Sequence, residues 1–197
     1  MIRAGWEGQV TTIYFVRHAE PDLNQKDELQ RPLTPKGRSD SIKLSDFFRD
    51  EPIDYVYSSP YRRAIETVKP LADRHSKTIY LEKDFRERKI DDEWISDYED
   101  FLQRQWTDFL YRRRNGECLQ TVQDRTIAAT NMLLLKHMNR KVVVGTHENA
   151  LGTVLRYYTK NFGIKEFMRI RNLKPWIVRF TFNGVECVNV EDFCLDP

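Results

Sequence analysis

Apolar positions along this chain fall into runs of two kinds that alternate. Thr11 to Val16 (TTIYFV), Ile53 to Tyr57 and Lys141 to Val144 (KVVV) are short and rich in β-branched or aromatic residues. Runs of that kind predict buried strands. Thr78 to Leu81 predicts a further short strand. Between these runs the spacing turns helical. Thr34 followed by Pro35 offers an N-cap and a proline at the first helical position. The helix after it is expected to bury Leu44, Phe47 and Phe48. Ala64, Ile65, Val68 and Ala72 form the apolar face of the next helix, which Pro70 is expected to kink or end early. Ile95, Tyr98, Leu102, Trp106 and Phe109 predict a helix within 95–114, and Leu119, Val122, Ala129 and Leu133 predict another. A helix should start near Asn149. Trp176 to Phe182 and Val185 to Val190 read as a hairpin around Asn183-Gly184. This β-α-β-α order predicts an α/β fold of three layers, α/β/α, with a mostly parallel sheet flanked by helices.

Length and composition narrow the picture. At 197 residues, 40% of them hydrophobic, the chain suits one domain spanning 1–197 with a substantial core. A net charge of +2 supplies no broad field for nucleic acid, although 32 basic residues leave room for a local cationic pocket. Arg112-Arg113-Arg114 and Glu82-Lys83-Asp84 read as solvated faces. The cysteines, Cys118, Cys187 and Cys194, are odd in number and lack CxxC spacing, so neither a disulfide framework nor a zinc cluster is indicated. No apolar run is long enough to span a bilayer, and the first ten residues lack the apolar core of a signal peptide. A cytoplasmic protein without membrane or nucleic-acid partners is expected. Oligomeric state is not readable.

Three strand-to-helix junctions carry unusual polar residues: Arg17-His18 after TTIYFV, Ser58-Ser59-Pro60-Tyr61-Arg62-Arg63 after the second strand, and Gly145-Thr146-His147 after KVVV. Ligands of open α/β sheets bind at the carboxyl ends of the strands. Parallel strands would therefore gather two histidines and at least two arginines on one edge. Arginine forks suit phosphate oxygens, and neutral imidazole is a competent nucleophile for a phosphoenzyme. The set Arg17, His18, Arg63 and His147 meets the needs of phosphoryl transfer without a metal or cofactor. No Walker loop, G-x-G-x-x-G or H-E-x-x-H is present.

These strings resemble the histidine phosphatase (phosphoglycerate-mutase-like) superfamily. VRHAE with PLTPKG after it is similar to the family's opening RHG or RHA and L-S/T-x-x-G. SSPYRRAIET resembles S-S-P-x-x-R-A-x-x-T, with Arg63 at the motif arginine. FRERK resembles the acid-bearing segment, NGECLQTV the G-E-S segment after a helical insertion (here about 88–118), and VVVGTHENAL the final G-H-G-N. The resemblance implies that His18 is phosphorylated and that Arg17, Arg63 and His147 surround the phosphoryl group. It places Asn24, six residues after His18, near the phosphate. It makes Glu87 the acid that protonates the leaving oxygen and then assists water.

Departures from the family pattern are Ala19 for glycine, Glu148 for the glycine after the second histidine, and Gly152 for a frequent arginine. The loop typical of glycolytic mutases is absent after Asn24. The resemblance thus implies a phosphatase acting on a small-molecule phosphate ester. A phosphoglycerate-mutase-type mutase, a protein phosphohistidine phosphatase and an inactive phosphate-binding relative stay open, the last because of Glu148. His75 and His137 read as surface or helix-end residues, and Trp94 and Trp106 as core or lid packing.

Overall fold

The computed structural model describes residues 10–195. Residues 1–9, on which the expectation about a signal peptide falls, lie outside the described residues. Six strands form one sheet in the order β3-β2-β4-β1-β5-β6. They are β1 (Val10–Arg17), β2 (Tyr55–Ser58), β3 (Ile79–Leu81), β4 (Lys141–Thr146), β5 (Trp176–Asn183) and β6 (Glu186–Cys194). β3, β2, β4 and β1 run parallel, and the β5–β6 hairpin adds antiparallel to β1. The helices are α1 (Pro35–Phe47), α2 (Arg62–Arg74), α3 (Tyr98–Thr107), α4 (Leu119–Lys136), α5 (Glu148–Tyr158) and α6 (Ile164–Ile170).

The side-chain period of β1 and β4 explains the layering. Ile13, Phe15, Val142 and Val144 face a core completed by α3, α4, α5 and α6. Tyr14, Val16 and Val143 face the opposite core, with Leu44 and Phe48 at α1 and Val68, Leu71 and Ala72 on α2. With both faces covered, a central strand must be apolar throughout, which is why TTIYFV and VVV show no alternation. The expected mostly parallel α/β/α arrangement is the one observed.

Several local expectations need correcting. Phe47 is 41% exposed, because its helix position points past the core and its ring instead packs beside Phe48 and Phe193. Pro70 does not end α2, which continues to Arg74 with Leu71 and Ala72 fully buried. That burial outweighs the missing N–H donor. Ile65 is only half-buried. The helix expected across 95–114 is confined to α3: the Asp108 carboxylate accepts from Leu110 N (2.9 Å) and turns the chain. Phe109 still packs edge-on against Trp106 from outside the helix. α6, with no counterpart in the periodic pattern, starts where the Glu166 carboxylate accepts from Gly163 N (2.9 Å). Thr34 caps α1 as expected, its hydroxyl accepting from Gly37 N at 3.0 Å. Gly37 itself lies so close to Glu20 that a Cβ would stand 2.3 Å from the Glu20 carbonyl oxygen. This approach clamps the loop after β1 onto α1. No helix among the described residues is long and apolar enough to cross a membrane.

Candidate active site

β1 and β4 are neighbours in register, Arg17 opposite Thr146, so the residues following them emerge together. His18 N donates to Thr146 O at 3.0 Å, extending the ladder by one bond. The His18 and His147 rings then lie 5.2 Å apart, centroid to centroid, at 63°. α2 begins beside them, because Ser59 N donates to Gly145 O at 2.8 Å and locks the end of β2 to β4. This brings Arg63 into the same corner. The four residues Arg17, His18, Arg63 and His147 are all buried, at 1%, 7%, 3% and 0% exposure.

Each is held by defined partners. His18 Nδ1 lies 2.7 Å from its acceptor, the Ala19 carbonyl, so Nδ1 carries the proton and Nε2 keeps its lone pair. Burial, then the charges of Arg63 and Arg17, push the His18 imidazole well below its ordinary pKa and keep it neutral. His147 is shifted the same way, by burial first and then by Arg63. Its Nε2 is 2.7 Å from Ser59 Oγ, and its Nδ1 is buried without a partner. Arg17 donates through Nη1 to the carbonyls of Ile170, Arg171 and Leu173, and through Nη2 to Glu148 Oε2 at 2.7 Å; its Nε is buried and unpartnered. Arg63 donates to Glu28 O (2.7 Å) and pairs with the Glu28 carboxylate (3.0 Å), its guanidinium lying over the Tyr61 ring.

Glu87 reaches the same region from the loop after β3. Its Oε1 accepts from Arg88 N (2.8 Å) and its Oε2 from Asn149 N (3.1 Å), so the carboxylate sits on the N-terminus of α5. Trp106 of α3 donates to Asn149 Oδ1 (3.2 Å), tying the 88–118 segment to that contact. Close packing of Trp106 needs Gly152, where a Cβ would lie 2.9 Å from the Trp106 ring. Asn24 is not brought to this cluster: it is exposed, and its amide donates to Asp22 Oδ1 in a local turn.

Ser59 belongs to the polar junction after β2, but its pairing with His147 had no signal of its own, and two further partners had none at all. Glu28 meets Arg63 from 35 residues away. Arg125 of α4 donates to the carbonyls of Asp84, Arg86 and Glu87 and pairs with Glu117, clipping the Glu87 loop in place. His75 and His137 are helix-end residues as read. His137 is nonetheless buried, with Nε2 2.8 Å from the Tyr57 hydroxyl. Trp94 is exposed and receives Lys26 and Arg31 on its ring at 4.5 and 5.4 Å, so the loop after β1 and the 88–97 stretch meet there. Among the described residues no three His, Cys, Asp or Glu side chains converge as a metal cage. Two open surface concavities, of about 640 and 200 Å³, lie elsewhere, around Arg104 and Tyr111 and around Ala128 and Met132.

Chemically, this is a neutral buried imidazole with a free ring nitrogen beside two guanidinium groups, a second imidazole and a braced carboxylate. Known proteins are similar to this chain in sequence or in fold. Uncharacterized phosphatase PhoE of Bacillus subtilis is 26% identical over 150 residues, which is 74% of this chain and 76% of that one. Phosphoserine phosphatase 1 of Hydrogenobacter thermophilus is 28% identical over 151 residues, covering 68% and 70%. The mycobacterial glucosyl-3-phosphoglycerate phosphatase has a similar fold, with a TM-score of 0.76 over 94% of this chain and 98% of that one at 14% identity. The family model for branch 1 of the histidine phosphatase superfamily matches residues 13–192. The chain therefore belongs to the histidine phosphatase superfamily.

Proposed function

We propose that this protein is a phosphatase that hydrolyses a small-molecule phosphate monoester through a phosphohistidine on His18. The observation that carries the reading is a pair of buried, unpartnered nitrogens, Arg17 Nε and His147 Nδ1, beside an imidazole held neutral. Arg17 Nε is a donor in any case, and His147 Nδ1 is one in the tautomer whose Nε2 accepts from the Ser59 hydroxyl. A buried donor without an acceptor costs about 1–3 kcal/mol. A phosphoryl group supplies the missing oxygens and removes that cost.

In the first half-reaction His18 Nε2 attacks phosphorus in line with the ester oxygen. The Nε2–P bond forms as the P–O bond to the alcohol breaks, and Glu87 gives the leaving oxygen its proton. Arg17, Arg63 and His147 hold the non-bridging oxygens. In the second half a water attacks phosphorus, Glu87 accepts its proton, and the Nε2–P bond breaks to release inorganic phosphate. The braced Glu87 carboxylate supports this double use, since a group that serves twice must keep its place.

Similar proteins carry phosphatase and mutase names alike, and it is the missing glycolytic-mutase loop after Asn24 that favours hydrolysis. The depth of both histidines supports a small substrate over a protein surface. The test is turnover of p-nitrophenyl phosphate after exhaustive chelation, by wild type and His18→Ala. Turnover that falls by orders of magnitude in the variant is expected. Tight phosphate binding without turnover in wild type would refute the hydrolase reading.

A further inference from the structure

Glu148 follows His147 directly, at the first position of α5, and its carboxylate is turned back onto Arg17. The contact is a short ion pair, Arg17 Nη2 to Glu148 Oε2 at 2.7 Å, with side-chain exposures of 2% and 14%. Nothing in the proposed phosphoryl transfer uses this carboxylate. It nonetheless decides how Arg17 is oriented.

Five N–H donors leave a guanidinium. Both donors on Arg17 Nη1 are taken by the Ile170, Arg171 and Leu173 carbonyls that close the end of α6. Glu148 takes one of the two on Nη2. What remains is one edge, the Nε–H and the second Nη2–H, which is the two-toothed fork that grips an oxyanion. Nε is among the buried nitrogens without a partner. The three carbonyls and the carboxylate thus share the positions that phosphate does not need, and the carboxylate is the one side chain among them that fixes the plane of the rest.

The other carboxylate oxygen, Oε1, is buried without a hydrogen bond and faces the Arg171 guanidinium at ion-pair distance, 3.6 Å from its Nε; Arg171 makes two bonds to Glu99 of α3, at 2.7 and 2.9 Å. A line of alternating charges thus runs from Glu99 through Arg171 and Glu148 to Arg17, with Lys174 and Glu87 also acting on Glu148. Since Arg17 and Thr146 are cross-strand partners, the same ion pair staples the ends of β1 and β4, from which His18 and His147 both project.

We propose that Glu148 is the positioning residue for Arg17: it orients the guanidinium edge that binds the phosphoryl group and links it, through Arg171, to α3. This rests on Arg17 binding phosphate as argued above. The test is a double-mutant cycle on kcat/KM for p-nitrophenyl phosphate and on inhibition by vanadate. Glu148→Ala is expected to lower both catalytic efficiency and vanadate affinity about tenfold or more. Glu148→Gln should recover most of each, because its amide oxygen still accepts from Nη2. In an Arg17→Lys background, which has no planar fork to orient, the Glu148→Ala loss should largely vanish.

An equal Glu148→Ala loss in both backgrounds, or a Gln variant no better than Ala, would show a merely structural role and overturn the proposal. So would Glu148→Ala at wild-type efficiency. Should Glu148→Ala fail to fold, Arg171→Gln replaces it; a loss of vanadate affinity confined to the Arg17 background is then expected, and no loss refutes the link. Wild-type efficiency in Arg17→Lys alone would instead sink the underlying phosphate-binding reading.

Discussion

Arg125→Met tests the clip that holds Glu87. The Arg125 side chain is 9% exposed and donates to the carbonyls of Asp84 (2.7 Å), Arg86 (2.9 Å) and Glu87 (3.3 Å) while pairing with Glu117 at 3.0 Å. Methionine keeps most of the apolar stem and removes every one of these bonds. Burial alone would raise the Glu117 carboxyl; the hydrogen bonds and charge of Arg125, with Lys89 N–H and Arg86, outweigh it and hold the carboxyl below its ordinary value. Glu117 keeps Arg86 after the change, so the pair is weakened without leaving a bare buried charge. Removing one partner of a buried pair costs about 3–5 kcal/mol, and the half-buried, still partnered Glu117 places the cost nearer about 3. At roughly 2–4 °C per kcal/mol for a domain of this size, Tm should fall by roughly 6–12 °C. Activity should fall in a particular way. A loosened Glu87 matters most when the leaving oxygen needs a proton, so kcat should drop far more for an alkyl phosphate than for p-nitrophenyl phosphate, by about a hundredfold for the former. Differential scanning calorimetry and steady-state kinetics on the two esters measure both effects. An Arg125→Met protein with wild-type Tm, or with equal losses on the two esters, would refute the reasoning.

The same geometry makes further predictions. His18 and His147 are held neutral in the folded protein, so the unfolded chain binds more protons below its ordinary histidine pKa. Stability is therefore full above about pH 6.5 and lost as pH falls, by up to about 1.4 kcal/mol per unit for each histidine. Urea titrations from pH 7.5 to 5.5 should show this slope, and it should flatten in His147→Asn; a slope unchanged by that variant contradicts it. Gly152→Val should be destabilising by about 1–3 kcal/mol, because the side chain enters space filled by Trp106 and Phe167; a thermal melt matching wild type would contradict that packing. Thr34→Ala should cost about 1 kcal/mol through the lost cap on Gly37 N, measured by the urea midpoint.

What was legible in the sequence had local causes. TTIYFV and VVV announce strands because both faces are covered, and the Thr34-Pro35 cap marks α1 because the bond it makes is three residues away. The four residues Arg17, His18, Arg63 and His147 are gathered by the same logic, each standing at or just beyond a strand end on one edge of a parallel sheet. Two elements differ from their apolar spacing for different reasons: α3 stops early at a local turn in which the Asp108 carboxylate accepts from Leu110 N, and α2 does not end at Pro70 because Leu71 and Ala72 are buried beyond it. The supporting partners Glu28 and Arg125 are fixed by contacts 35 and about 40 residues apart in sequence, which no local pattern encodes, while Ser59 stood in a readable motif but met His147 from 88 residues away. Asn24 shows the reverse case: the family resemblance implied a place near the phosphate, while the side chain closes its own turn.

The central claim is that His18 Nε2 carries the phosphoryl group between ester and water. Mixing the enzyme with p-nitrophenyl phosphate, denaturing within milliseconds at alkaline pH to preserve phosphoramidates, and mapping the product by peptide mass spectrometry tests it most directly. The account predicts one phosphoryl group on the peptide containing His18, more of it in Glu87→Gln and none in His18→Ala. Steady turnover with no phosphopeptide, or with the phosphoryl group on any other residue, would contradict it.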